Sequence, residues 1–133
     1  MHDAPQQSGP ATASPVAGRR IAAALGAVFC ACAVALGAWS AHAAPEQAQA
    51  RLDTATLYLF FHGLALAVFA LRQRGFLSAI SLVCWLAGCF LFCGSLVAAA
   101  LWNAPAVLAP FGGIAFMLGW LLQAVAAFRE VRD

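Results

Sequence analysis

Lysine is absent from this chain, and its formal charges amount to seven arginines and five acidic side chains in 133 residues. A charged fraction of 9% beside a hydrophobic fraction of 64% excludes an ordinary water-soluble domain. Such domains carry about 25% charged and about 45–50% apolar residues. A mean hydropathy of +0.86 points to lipid as the solvent for the excess. No contiguous basic patch exists either, because the arginines sit at the edges of apolar runs, so nucleic acid is excluded as a partner. The chain also lacks CxxC and CxxCH, the spacings of zinc sites and haem attachment. Its five cysteines, Cys30, Cys32, Cys84, Cys89 and Cys93, all fall inside apolar runs, where thiols behave as small hydrophobes, so neither a metal nor a disulfide framework is expected.

Four apolar runs remain. They cover about residues 21–43, 54–71, 76–102 and 111–128, each long enough at 1.5 Å per residue to cross a hydrocarbon core of about 30 Å. Lipid offers nothing to backbone polar groups, so each run must be helical. The expected architecture is an all-α integral membrane protein, a bundle of four transmembrane helices over residues 19–133. A Pro-, Ala-, Ser- and Gln-rich tail at 1–18 lacks the apolar side chains that repay ordering and is expected to be disordered. Arg19, Arg20, Arg72, Arg74, Arg129 and Arg132 flank the tail, the second connection and the C-terminus, leaving Arg51 alone on the other side. The positive-inside rule then places both termini in the cytoplasm and the protein in a bacterial inner membrane. The first run also has features of a cleavable secretory signal, namely Arg19-Arg20 and an Ala41-His42-Ala43 site, but its apolar stretch is longer than the usual 7–15 residues.

Within the runs, small residues mark where helices can approach. Ala27, Ala31 and Ala35 share one face of the first span, and Ala33, Gly37 and Ala41 another. Gly94 and Ala98 pair in the third, and Gly112 and Gly119 lie on nearly one side of the fourth. This spacing is read as packing within the monomer rather than as a dimer face. Trp39 and Trp102 suit an interfacial position, whereas Trp85 and Trp120 lie deeper and are expected to pack, each indole N–H finding an acceptor. Gln123 is expected to bond to another helix.

No Asp, Glu or Arg falls inside the runs as bounded, which counts against proton-coupled transport. His42 and His62 are the titratable candidates, and with Ser95 and the Gly112-Gly113 pair they can form a polar cluster in the outer half. His62 is read as an interhelical hydrogen-bonding residue ahead of a proton carrier or ligand. Cys89 and Cys93, four apart on one face, are read as packing residues ahead of a thiolate pair.

Four segments in this order resemble one family: Ala35-Leu-Gly-Ala-Trp-Ser-Ala-His-Ala43, Phe61-His-Gly-Leu-Ala-Leu66, Leu91-Phe-Cys-Gly-Ser-Leu96 and Ala109-Pro-Phe-Gly-Gly-Ile-Ala-Phe-Met-Leu-Gly-Trp120. The chain is similar to the YgdD-like membrane proteins, domain of unknown function 423, from about residue 20 to its end. His42, His62, Gly94, Ser95, Pro110, Gly112, Gly113, Gly119 and Trp120 match the pattern. Ala109, Cys93 and Phe61 replace hydroxyl-bearing residues of the family, which counts against an obligatory polar relay. The resemblance implies a four-helix inner-membrane protein and brings no substrate, cofactor or reaction. The expected role is non-enzymatic, an accessory or interaction protein with a membrane-protein partner or a second copy. The alternative is a small transporter or channel using the His/Ser cluster.

Overall fold

The computed structural model describes residues 15–72 and 74–130. Four helices in it are long and apolar enough to span a membrane. The first, α1, runs Pro15–His42, and α2 runs Glu46–Arg72. The third span is one rod in three parts: α3 (Phe76–Gly88), a π turn (Cys89–Cys93) and α4 (Gly94–Trp102). The last, α5, covers Ala109–Glu130. Most of the tail expected at 1–18 lies outside the described residues, but residues 15–18 form the opening turn of α1, with proline at a position that lacks a helical acceptor anyway.

The largest departure from hydropathy lies at the start of α2. Residues 46–53 carry Glu46, Gln47, Gln49, Arg51 and Asp53, which dilute the apolar average, yet they are helical. Glutamate, glutamine, alanine and arginine are all good helix formers, and Glu46 in the first turn complements the helix dipole. Buried Ala48, Leu52 and Ala55 recur four and three apart and hold this turn against its neighbours. Pro45 ends α1 because it can neither donate to nor fit a continuing helix. A three-residue link, closed by Ala43 and Ala44 N–H groups on the Trp39 carbonyl at 2.9 and 3.0 Å, then makes α1 and α2 an antiparallel pair. Two side chains hold the same end. The Ser40 hydroxyl donates to Asp53 Oδ1 at 2.7 Å, and Arg51 Nη1 donates to the Ala99 carbonyl at 3.4 Å.

Helix pairing follows the glycines. α1 packs along α2, α3 packs on α5, and the π turn and α4 pack on α2. At the α1–α2 crossing a Cβ on Gly26 would sit 2.5 Å from the Gly63 carbonyl oxygen, and one on Gly63 would sit 2.9 Å from that of Gly26. The buried face of α1 is thus Ala22, Gly26, Ala33 and Ser40, while Ala27, Ala31 and Ala35 point outward. Of the two alanine faces in the sequence, only the one containing Ala33 and Gly37 meets α2, and Ala41 at its end is exposed.

The π turn widens the third span by one residue, so that the Gly94 N–H reaches back five positions to the Cys89 carbonyl. Cys89 and Cys93 both end up buried, as packing residues should. Opposite them, Gly112 of α5 sits against the backbone of Phe92 and Gly88 against the ring of Phe116. Asn103 ends the rod in a left-handed conformation (φ 56°), a common helix terminator, with Pro105 beyond it. The α2–α3 connection turns through Gly75 at φ 114°, which a side chain would strain.

The crossing predicts opposite outcomes for two substitutions in α1. Gly26→Val forces the helices apart and is expected to destabilise by about 1–3 kcal/mol, whereas Ala31→Val on the outward face stays within about 0.5 kcal/mol. Thermal unfolding of the purified protein in one detergent measures both.

Candidate functional site

Tyr58 and His62 lie one turn apart on α2, and Phe116 and Trp120 one turn apart on α5, so each pair presents two rings to the space between the helices. The two pairs interlock. The His62 ring stacks on Phe116 with centroids 3.5 Å apart and planes inclined by 19°. Trp120 Nε1 donates to His62 Nε2 at 3.1 Å, and the other ring nitrogen, Nδ1, lies 2.8 Å from the Tyr58 carbonyl. An indole N–H can only donate, so Nε2 must be the acceptor. The proton therefore sits on Nδ1 and is donated to Tyr58, which selects the neutral Nδ1–H tautomer. His62 is 5% exposed, and both of its nitrogens are satisfied inside the bundle.

A wall of rings surrounds it. Tyr58 meets Phe92 at 4.7 Å, Trp120 meets Trp85 at 4.6 Å, and Phe69 completes the group against both tryptophans. Glycine makes room: a Cβ on Gly119 would sit 2.5 Å from Trp85 Cδ1. The Ser81 hydroxyl donates to the Gly119 carbonyl at 2.8 Å, fixing α3 against α5 at that level. Beside His62 lies a cleft of about 640 Å³ bordered by Tyr58, Phe92, Pro110, Gly113, Phe116 and Trp120. Exposed Ile114, Met117 and Leu121 also line it, so it opens on the outer surface of the bundle.

The structure brings His62, Pro110, Gly112, Gly113, Gly119 and Trp120 into this region, and leaves three other candidate residues outside it. His42 is exposed at the end of α1. The Gly26–Gly63 crossing marks the level of His62, and sixteen residues of α1 separate His42 from it, about 24 Å by helical rise. Ser95 makes no side-chain hydrogen bond among the described residues, and a Cβ on Gly94 would meet nothing within 4 Å. The outer-half cluster of His42, His62 and Ser95 is therefore not assembled, because α2 starts at Glu46 and His62 falls much deeper along it than a start near residue 54 implies. Gln123 has no partner for either amide atom, and neither has the Trp85 indole N–H, so these two expected interhelical bonds are not formed.

Tyr58, Phe116, Phe92 and Trp85 complete the site and were not singled out as its members from sequence. The i, i+4 spacing of Tyr58 with His62 and of Phe116 with Trp120 is the signal that could have found them. Among the described residues no three His, Cys, Asp or Glu side chains gather as metal ligands. What the arrangement does chemically is join α2 to α5 through one neutral imidazole.

A family profile described as "Protein of unknown function (DUF423)" matches residues 36–113, from the last part of α1 to the first turn of α5. The chain belongs to the DUF423 family. A UPF0382 membrane protein of Haemophilus influenzae is 37% identical over 116 residues, covering 80% of this chain and 90% of its own length. The UPF0382 membrane protein YwdK of Bacillus subtilis is 31% identical over 115 residues, covering 79% and 94%. A Staphylococcus saprophyticus relative, also a UPF0382 membrane protein, is 31% identical over 113 residues, covering 79% and 94%. No solved structure matches. The profile and these names establish a membrane protein, and they carry no activity.

The His62 linkage predicts graded losses. Trp120→Phe keeps the ring but strands Nε2 without a donor, at an expected cost of about 1–3 kcal/mol. His62→Ala opens a cavity under Phe116 as well and is expected to cost more, about 2–5 kcal/mol, the range for emptying a large buried side chain. Unfolding of the two variants and of the double variant, compared as a cycle, reads the coupling directly.

Proposed function

We propose that this protein is a non-enzymatic accessory protein of the bacterial inner membrane, with both ends in the cytoplasm, that acts through contact with another membrane protein. The observation that carries the reading is the commitment of His62. Among the described residues it is the one buried side chain of the His, Asp, Glu or Arg type, and both of its nitrogens are used to join helices. A proton carrier or ligand needs one of them available. The outward face of α1 supports the same reading. Ala27, Ala31 and Ala35 leave a shallow ridge that a partner helix can approach closely, whether from a different protein or from a second copy.

The orientation rests on arginine placement. Arg72, Arg74 and Gly75 lie at the same end of the bundle as the described ends of α1 and α5, where Arg19 donates to the Gly75 carbonyl at 3.2 Å, and Arg51 lies at the other. The rule that basic residues stay inside makes the arginine-rich end cytoplasmic.

A small transporter or channel is the second reading, favoured by the cleft bordering His62. Alternating access needs a hydrated site between helices near the midplane, and this cleft has largely aromatic and aliphatic walls that open sideways.

Photocrosslinking residues placed at Ala27 and Ala31 in native membranes distinguish the two. The accessory reading expects a discrete adduct with one membrane protein, and proteoliposomes whose solute and proton fluxes match those of empty vesicles. No adduct, together with flux that disappears in His62→Ala, overturns it. A reporter fused after residue 133 is expected to report the cytoplasm, and a periplasmic signal refutes the orientation.

A further inference from the structure

A cavity lies at the arginine-rich end, away from His62. It measures about 790 Å³, within the range of about 300–1,000 Å³ typical of small-molecule sites. The first turns of α1, the last turn of α2 and the outer face of α3 enclose it. Its floor is apolar and buried: Ala22, Ala70 and Leu82. Leu71 and Val83 in its walls are exposed aliphatic side chains, and Val83 lies two turns into the third span, so the cleft reaches the acyl region. Around its mouth stand Arg19, Arg20 and Arg74, and among the described residues no acidic side chain lines it.

We propose that this cleft binds an anionic phospholipid, one acyl chain lying between α1 and α3 and the phosphate held by Arg20 and Arg74. Charge complementarity selects the occupant. Guanidinium groups form the planar fork that matches phosphate oxygens, and Arg20 and Arg74 have no partner among the described residues. Arg19 contributes differently: its bond to the Gly75 carbonyl pins the α2–α3 turn to α1 and closes the back of the mouth. A free phosphate would satisfy the arginines but would leave the aliphatic walls without an occupant. A zwitterionic lipid would fill the walls and present a phosphate, but its own choline cation cancels the net charge that two guanidinium groups select. The binding site is thus wet and cationic at the headgroup level and dry beneath it, the pattern of a basic pocket between transmembrane helices that takes a lipid headgroup.

Native mass spectrometry of the full chain, released from nanodiscs of mixed phosphatidylglycerol and phosphatidylcholine, tests this by counting retained lipid. Phosphatidylglycerol is expected to be retained over phosphatidylcholine. Its retention should fall about fivefold for each of Arg20→Ala and Arg74→Ala, as one lost charge near an anionic surface implies. Val83→Trp fills the cleft and leaves every arginine in place, so it should abolish retention. Val34→Trp, at an equally exposed site on α1, should leave it unchanged. All four positions are exposed, and unfolding temperatures close to that of the parent verify that the variants fold. Equal retention of both lipids overturns the proposal. So does undiminished retention in Val83→Trp, which would mean surface charge alone, or displacement of the lipid by inorganic phosphate, which would mean a simple anion site.

Discussion

Close approach of backbones at glycine is the constraint on which the rest of this bundle depends. Lipid tails are as apolar as leucine, so helices that leave lipid for one another gain little from burial and must gain from contact. Gly26 with Gly63 brings α1 against α2, while between the third span and α5 Gly88 and Gly119 admit the rings of Phe116 and Trp85 and Gly112 admits the backbone of Phe92. Each contact trades a side chain for proximity. The aromatic wall around His62 exists because those glycines leave room for rings where a Cβ would stand, and the imidazole then meets the indole at hydrogen-bonding distance. Replacing any of these glycines therefore acts on the site from a distance, through helix separation rather than through chemistry.

The extent to which all this was legible depends on how far each signal reaches. Four spans were legible because apolar length is a property of each segment alone. The start of α2 was not, because averaging hydropathy over residues 46–53 hides the buried ladder of Ala48, Leu52 and Ala55 beneath five polar neighbours. That one difference moved His62 away from His42 and dissolved the expected outer cluster. Which alanine face of α1 packs was equally illegible, since Ala27, Ala31, Ala35 and Ala33, Gly37, Ala41 have the same spacing and only the partner decides between them. The π turn left no mark in composition. By contrast, an interhelical role for His62 could be reasoned in advance, because a buried imidazole in lipid needs partners and other helices are where partners are.

Not every buried polar group finds one. Thr56, Ser78, Trp85 and Gln123 each bury a side-chain donor or acceptor without a protein partner. Ser78 and Gln123 both lie toward the arginine-rich end from the Ser81–Gly119 bond, on the two helices that this bond joins. An unmade bond in a low-dielectric interior costs about 1–3 kcal/mol, so the α3–α5 seam is held tightly at Ser81 and Gly119 and is under-satisfied beyond them.

The two ends of the molecule consequently differ in kind. At the Arg51 end, the link at residues 43–45, the Ser40–Asp53 bond and the Arg51–Ala99 bond tie α1, α2 and α4 together within a few residues. At the other end, a glycine turn at φ 114° joins α2 to α3, and two clefts flank it, one of about 790 Å³ and one of about 260 Å³ that reaches Ser78 and Arg129. Clefts and unsatisfied polar groups leave fewer interactions to break when a region opens locally. Like charges repel, so the arginines gathered there stand at the cleft's mouth rather than packed against one another, and among the described residues that line the cleft none is an acid.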